Sequence, residues 1–546
     1  MNIPSIPRPS LEGEHFQVIV VGGGINGVAI ARECARAGRR TLLLEEHDFA
    51  SGTTSRSTRI IHGGLRYLEH GELGLVRESL RARRELLREK PNLVHPIHFL
   101  LALSSGSQRS ALAIRTGLWL YRRIGGQPRG VALSEFEKKK FEQWLDKGQK
   151  WSIFSFEDAQ CEFPERLVAA WLTEAIQAGA IVRNHSRVLA VNVTHGRTRG
   201  VLLRDQLTGR EDRVDATWVI NATGPWADRL CQHSAIRTKH PLVGGVRGSH
   251  LVLPSFPGAP SSPVYTEATD GRPIFIIPWN DQILVGTTEV KDSGDPAKAA
   301  PSSEEIEYLL RSLSKMFPRA GVSAEQIRYA FAGVRPLPFA PERRMNDVSR
   351  HHFLHEHSGD GAARMISVIG GKLTTAAELA RQCASRIGIA TSRKPVAAMA
   401  DDSVDPLLDQ FVVEIAQAGS VSESSARSIV EWHGPRAVDI ARMALSSAEL
   451  RAPICPHSEH IVAEAVAAIT QECAVTMGDI LLRRVPVTWG PCWSESCSRE
   501  AAMRIGAAMQ WNEAQIAGEL ESFETERATI FKKPSRAAVP VDAAAD

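Results

Sequence analysis

A chain of 546 residues holds two or three domains and can bury a large core; at 43% hydrophobic and 23% charged residues it is globular, and a formal net charge of +3 gives no mandate for nucleic acid. Eight cysteines are scattered without a Cys-x-x-Cys, Cys492 and Cys497 being the closest pair. Neither a disulfide framework nor a zinc site is therefore expected, and the chain reads as reduced and intracellular. No apolar core of a secretory signal follows Met1, and no run approaches the roughly 18 apolar residues of a membrane span.

Residues 1–15 are expected to be a flexible N-terminus. Residues 17–21 form a short apolar, β-branched run, the pattern of a buried parallel strand. It enters Gly22-Gly23-Gly24-Ile25-Asn26-Gly27, a G-x-G-x-x-G, followed by a helical pattern closed by Gly38 and by a second strand, 41–44, ending at Glu45. In this order Gly22 makes the tight turn, Gly24 admits a pyrophosphate to the backbone, and Gly27 lets helix and strand pack closely. The helix N-terminus, with Ile25 and Asn26, points N–H groups at the phosphates, and Glu45 suits a ribose hydroxyl. The alternative is a Gly-rich turn in an ordinary βαβ unit. A Ser/Thr/Gly-rich loop follows, with Thr54, Ser55 and Ser57, and then His62-Gly63-Gly64. Hydroxyls and N–H groups there can wrap a pyrophosphate, and a glycine pair lets backbone lie against a flat ring. These features favour FAD in an extended pose.

Further on, residues 72–90 read as a solvated Arg/Glu helix. The stretch from Ser107 to Ile124 is apolar and cationic, with Trp119 and Tyr121 and no acid between Arg109 and Arg129. It suits either a helix lying in a bilayer interface or one packed on the core with snorkelling arginines. Residues 131–150 read as a polar loop, 167–179 as a helix, and 181–193 as one strand that offers backbone to an adenine through Val188. A hairpin spans 201–215. The strand 218–220 runs into Asn221-Ala222-Thr223-Gly224, where backbone can pass a cofactor or simply turn. Strands at 242–253, 264–265, 273–278 and 282–288 form a second, antiparallel sheet carrying Arg247, His250, Trp279 and Thr287. Ser302 and Glu305 make a capping box. A strand at 365–369 enters Gly370-Gly371-Lys372-Leu373-Thr374-Thr375 and a helix, a second junction suited to flavin or phosphate. His351, His352, His355 and His357 read as an exposed hairpin rather than a metal site, for want of a cysteine or carboxylate at ligand spacing. From residue 400 helical periods dominate; Arg483 and Arg484 there face solvent or a domain interface, and 532–546 reads as a disordered tail.

VVGGGINGVAIA (20–31), IHGGLRYLE (61–69), NATGPWAD (221–228), RGSHLV (247–252), IPWNDQILVGTTEV (277–290), GVRPL (333–337) and GGKLTT (370–375) together resemble the FAD-dependent glycerol-3-phosphate dehydrogenases. The resemblance implies a Rossmann-like, two-domain α/β FAD-binding fold of the glutathione reductase and D-amino-acid oxidase type, with an antiparallel substrate sheet and an all-α C-terminal domain. The FAD-binding and substrate parts interleave over 16–395, the substrate sheet mainly at about 90–165 and 240–335, and a helical cap spans 396–531. It further implies oxidation of sn-glycerol 3-phosphate to dihydroxyacetone phosphate, hydride passing from C2 to FAD and electrons onward to a quinone. The alternative is an oxidase of the same fold that uses oxygen and a different hydroxy or amino substrate. A third, a flavin-binding protein without turnover, sits poorly with the intact cations.

Arg335 and Lys372 are then the active-site cations, with Arg66, Tyr67 and Thr374 enclosing the substrate. His62 and His250 are the candidates for proton handling, or else orient flavin or substrate by hydrogen bonding. FAD contacts fall to Gly22, Gly24, Ile25, Asn26, Gly27, Glu45, Thr54, Ser55, Ser57, His62, Gly63, Gly64, Val188, Ala222, Thr223, Gly224, Gly371, Lys372, Leu373 and Thr374. No metal and no nucleic acid is expected. A membrane surface is reached through the cationic helix, the location is cytoplasmic and peripheral on the inner face of the plasma membrane, and a homodimer is left open. Two departures from the family pattern stand out: Phe163-Pro164-Glu165-Arg166, where substrate or flavin contacts change, and Glu289 in place of an Asp.

Overall fold

The computed structural model describes residues 8–69, 71–126, 135–342, 348, 350–391 and 406–533. One sheet runs in the order Phe353–Glu356, Met365–Ile369, Glu211–Asn221, His15–Val21, Thr41–Leu44, Ile181–Arg183. Its four central pairings are parallel, from Met365–Ile369 across to Ile181–Arg183. Parallel strands need helices on their faces, and the helices Ile25–Arg36, Pro164–Gln177 and Ala376–Arg386 cover one face with a shared apolar core. The expected single strand over 181–193 is instead two, Ile181–Arg183 and Ser186–Thr194. His185, at φ +47, breaks it and sends the Ser186 N–H to the Glu45 carbonyl at 2.7 Å.

The second sheet has nine strands: Val290–Lys291, Val243–Pro254, Gln282–Gly286, Pro273–Trp279, Val264–Glu267, His95–Ser104, Trp151–Gln160 and Ile60–Ile61 in order, with Tyr329–Pro338 also paired to Val243–Pro254. All pairings are antiparallel except that of Val264–Glu267 with His95–Ser104. Ile60–Ile61 follows the nucleotide-type loop directly, so one chain segment enters both sheets. The capping box of Ser302 and Glu305 forms as expected.

Several local expectations are corrected. Residues 8–15 are held down: Arg8 Nε bonds Asp205 at 2.9 Å and Leu11 is buried; residues 1–7 lie outside the described residues. The stretch 131–150 contains a helix, Glu135–Glu142, with Phe141 and Leu145 buried against the second sheet; 131–134 lie outside the described residues. The histidine segment is a hairpin, Phe353–Glu356 against Met365–Ile369, but not a wholly exposed one. His352 and His357 are buried, and Asp360 supplies the carboxylate that the spacing hid, accepting from His355 at 2.7 Å and His357 at 2.9 Å. Lys532 pairs with Ala330 at a sheet edge, while 534–546 and the boundary near 396 lie outside the described residues. No helix among the described residues is long and apolar enough to cross a membrane.

Helices from Pro406–Gly419 to Glu513–Ile530 form the all-α C-terminal part. Arg483 and Arg484 lie at its junction with the first sheet, both buried. Asp48 sits between them, accepting from Arg483 Nε at 2.5 Å and from Arg484 Nη1 and Nη2 at 2.8 Å each. Arg166 reaches Glu472 at 2.8 Å and the Arg484 carbonyl at 2.6 Å across the same junction. Asp48→Asn takes the carboxylate from buried Arg484, while Arg483 keeps Asp479 and Glu526, and is expected to cost about 3–5 kcal/mol. Arg386→Ala, which breaks an exposed pair with Glu356, is expected to cost under about 1 kcal/mol. Denaturant melts of the two variants check the contrast; equal losses would mean that the junction does not depend on Asp48.

Candidate active site

The glycine motifs, distant in sequence, meet. Gly22 has φ +107, and a Cβ there would stand 2.5 Å from the Ala222 carbonyl oxygen. A Cβ on Gly27 would stand 1.8 Å from the Gly22 oxygen. The first motif is therefore locked to the end of Glu211–Asn221. Gly371, at φ +93, packs on Asn26: its Cβ would meet Asn26 Nδ2 at 2.4 Å. Asn26 Nδ2 donates to the Gly370 carbonyl at 3.2 Å. His62 N–H donates to Thr374 Oγ1 at 3.1 Å. Leu373 is buried beside them.

This cradle fits a dinucleotide. Gly24 caps the helix Ile25–Arg36 without a side chain, and no acid stands in the first turn, so the positive helix end is open to an anion. Asn26 Oδ1 is buried without a protein partner, an acceptor waiting for a donor. Glu45 accepts the Gly23 N–H at 2.6 Å and the His47 N–H at 2.9 Å, while burial raises its carboxyl above the usual range. Val188 lies on the strand brought alongside Glu45 by the break at His185. Thr223 bonds Asn221 Oδ1 through both N–H and hydroxyl, and Gly224 turns at φ +59.

The Ser/Thr loop uses its hydroxyls differently from expectation. Thr54 Oγ1 accepts the Ile25 N–H at 3.1 Å, Ser55 donates to the Ala50 carbonyl at 2.7 Å, and Ser57 Oγ accepts the Arg59 N–H at 3.3 Å. They brace the loop against the glycine turn and against itself. Gly63 has no room for a side chain beside Tyr121 and Leu80, nor has Gly64 beside Tyr67.

Beyond the glycines opens a cavity of about 450 Å³, walled by Thr58, His62, Arg66, Tyr67, Arg335 and Lys372 among others. Lys372 Nζ donates to Ser79 at 3.1 Å and lies 4.4 Å from the centre of the Tyr67 ring. Burial pushes its ammonium down to about 7, although Glu78 and Glu72 pull upward. Arg335 donates to Thr287 Oγ1 at 2.8 Å, and burial, with Arg350 nearby, lowers it to about 10. Glu289 bonds Arg350 at 2.6 Å and faces Arg66 at 3.6 Å. Burial alone would raise this carboxyl; Arg350, Arg335 and Arg66 together hold it low.

Both histidines are pushed down to about 3, by burial first, then by Lys372 for His62 and by Arg335 and Arg59 for His250. Both are thus neutral near pH 7. His62 lines the cavity. His250 lies behind it, stacked on Phe331, its Nε2 bonded to Thr58 Oγ1 at 3.0 Å and its Nδ1 unpartnered. The departure from Phe163 to Arg166 is not at the cavity. Glu165 pairs with Arg59, Arg166 with Glu472, and Phe163 packs on Trp279 and Trp432, so this stretch joins domains. Sequence reasoning missed Arg350 and Arg272, which also line the cavity. Neither belongs to a glycine-marked motif, and only the fold brings both to Glu289, Arg272 Nη1 donating to the Glu289 backbone carbonyl at 3.0 Å.

The family model for FAD dependent oxidoreductases matches residues 17–377, and that for the C-terminal domain of alpha-glycerophosphate oxidase matches 365–516. A glycerol-3-phosphate dehydrogenase of Synechocystis sp. is 34% identical over 504 residues, covering 88% of this chain and 90% of that one. The chain belongs to the FAD-dependent glycerol-3-phosphate dehydrogenase family. A D-erythritol 1-phosphate dehydrogenase of Brucella abortus is also similar, 33% identical over 381 residues, or 69% of this chain and 74% of that one. The solved glycerol-3-phosphate dehydrogenase of Bacillus halodurans, a complex with FAD, has the same fold, with TM-score 0.76 at 22% identity over 97% of both chains. As a member of the family this chain takes FAD, and the glycine cradle, the uncapped helix end and Asn26 Oδ1 are the groups that would hold it.

Proposed function

We propose that the protein oxidises sn-glycerol 3-phosphate to dihydroxyacetone phosphate and hands the electrons to a quinone. The observation that carries this reading is that the half-buried cations Arg335 and Lys372 line one cavity together with the neutral imidazole of His62. Lys372 and Arg335 bind the phosphate dianion, because burial weakens their charged forms and an anion restores them. Arg66, Arg350 and Glu289 form the adjoining wall and fix one another's orientation. FAD, when bound, supplies the two-electron acceptor for the C2 hydride. The C2 hydroxyl proton must leave with that step, and two imidazoles can receive it: His62 at the cavity wall, or His250 through the Thr58 hydroxyl. Tyr67 and Thr374 enclose the site.

The test is an anaerobic absorbance titration of the holoprotein. Bleaching of the flavin band by sn-glycerol 3-phosphate is the expected result. Bleaching by erythritol 1-phosphate alone would move the substrate to a longer polyol phosphate, as in the Brucella relative's name. Reduced protein should then pass electrons to a quinone faster than to oxygen; peroxide formed in step with substrate would favour the oxidase reading instead.

Quinone use needs a membrane surface. The helix Ala111–Gly125 starts later than expected, capped by Ser110, and buries Ile114, Leu118 and Tyr121. Its outer face carries Leu112 at 73% and Trp119 at 60% exposure, with Arg115 and Arg123 between and beside them. Apolar anchors flanked by cations suit an anionic bilayer surface. The holoprotein should float with anionic vesicles, and Trp119→Asp should not; retention of the variant would remove this helix from the membrane contact.

The ammonium of Lys372 is the form that binds phosphate, and it predominates below about pH 7 in the free protein. The substrate is dianionic above about pH 6. kcat/KM is therefore expected to peak between these values and to fall about tenfold per pH unit above them. Lys372→Arg, always charged, should keep the plateau to about pH 9. A falling limb that survives in Lys372→Arg would belong to another group.

A further inference from the structure

Outside the cavity, the C-terminal helical part gathers Cys455, His457, Cys492 and Cys497. Cys455 and His457 stand on the connection between the helices Ala448–Arg451 and Val462–Gln471. Cys492 and Cys497 stand 37 and 42 residues beyond Cys455 in the numbering, where the chain enters the helix Glu495–Met509. The Cys455 and Cys497 sulfurs and a His457 ring nitrogen all lie within 4.8 Å of one another. Cys497 Sγ is 3.6 Å from His457 Nδ1 and 3.6 Å from the Cys492 carbonyl oxygen.

We propose that Cys455, His457 and Cys497, whose donor atoms are already gathered, bind a soft divalent cation, zinc above all, and that the neighbouring exposed Cys492 turns its sulfur in to close the fourth position of a structural site. Three sulfurs and one imidazole make a recurrent tetrahedral zinc donor set. With Zn–S near 2.3 Å and Zn–N near 2.0–2.1 Å, sulfur and nitrogen ligands on a tetrahedron stand about 3.5 Å apart. The observed Cys497–His457 separation already has that length. Cys497 is the third residue of its helix, where the positive helix end favours a thiolate, and Ser494 bonds it through the N–H and the sulfur at 3.4 Å each. The surrounding backbone is held: Arg504 bonds the Pro453 carbonyl and Arg328 the Pro491 carbonyl. Four protein donors leave no open position, so the ion staples the 452–461 connection to the start of the helix and takes no part in the redox step.

The probe is the metal itself. Holoprotein produced with zinc in the medium and dialysed against EDTA should retain about one zinc per chain by mass spectrometry. Cobalt exchange should give a thiolate-to-metal charge-transfer band and tetrahedral d–d bands. Because losing even an outer-sphere partner weakens a metal about 10–100-fold, Cys492→Ser should lose at least about tenfold in affinity. Cys492 is exposed, so that variant should keep its fold and its flavin; Cys455→Ser is the buried companion. The proposal is overturned by substoichiometric metal with no cobalt spectrum, by metal that neither substitution releases, or by a disulfide among these cysteines in non-reducing peptide maps of the protein as isolated.

Discussion

Asp48 between Arg483 and Arg484 is the contact on which the rest of the site depends. A carboxylate taken out of water is costly unless forks of donors replace its hydration, and here two guanidiniums do so, with Asn184 Nδ2 adding a third partner at 3.0 Å. Asp48 opens the loop that carries Thr53, Thr54 and Ser55. Arg59 closes that loop, buried against Glu165 and stacked 4.3 Å from Trp279 and 4.7 Å from Trp489. Both ends of a polar loop are thus nailed by ions whose partners come from other parts of the chain. Thr53 then reaches the Val334 carbonyl at 2.7 Å and Thr54 the Ile25 N–H. Helical part, nucleotide cradle and substrate sheet share one set of fixed points.

The same balance between burial and charge shapes the cavity. Burial depresses Lys372 and Arg335, and Arg350 adds repulsion to both; Glu78 and Glu72 relieve it in part for Lys372, and Glu289 for Arg335. The wall is therefore poised for an anion and poorly satisfied without one. The histidines, desolvated beside these cations, stay neutral and keep a lone pair available. Glu289 has a specific place in this arrangement, since it bonds Arg350 directly.

Much of this was legible in the sequence because glycine marks places where only backbone fits. Gly22, Gly27 and Gly371 announce close approaches that the structure contains, and the strand-to-helix junctions around them follow from apolar runs. The helical part and the second sheet were likewise readable from period and turn residues. What the sequence hid were pairings across long separations. Nothing at Asp48 points to Arg484, 436 residues on, and nothing marks Arg350 as a partner of Glu289. The polar run at 131–150 hides a helix because its apolar residues are few. Cys-x-His and Cys-x-x-x-x-Cys pass no familiar spacing rule, yet the fold brings Cys455, His457 and Cys497 together. Glu165 and Arg166, read as a change in substrate or flavin contacts, serve the junction, because a charged pair in sequence does not say which interior it enters.

The meeting of Asn26 with Gly370 and Gly371 has a consequence for how the protein is made. Half of the nucleotide cradle leaves the ribosome early, and the half that closes it follows 344 residues later. At about 5–20 residues per second, the cradle stays open for roughly 17–70 s of synthesis. During that time the apolar strands His15–Val21 and Thr41–Leu44 lack the covering helix Ala376–Arg386, and Glu211–Asn221 beside them lacks its neighbour Met365–Ile369. A chain stopped before Thr375 has no complete place for the cofactor, so loading marks a finished molecule, and guarding those strands until then falls to the cell's chaperones.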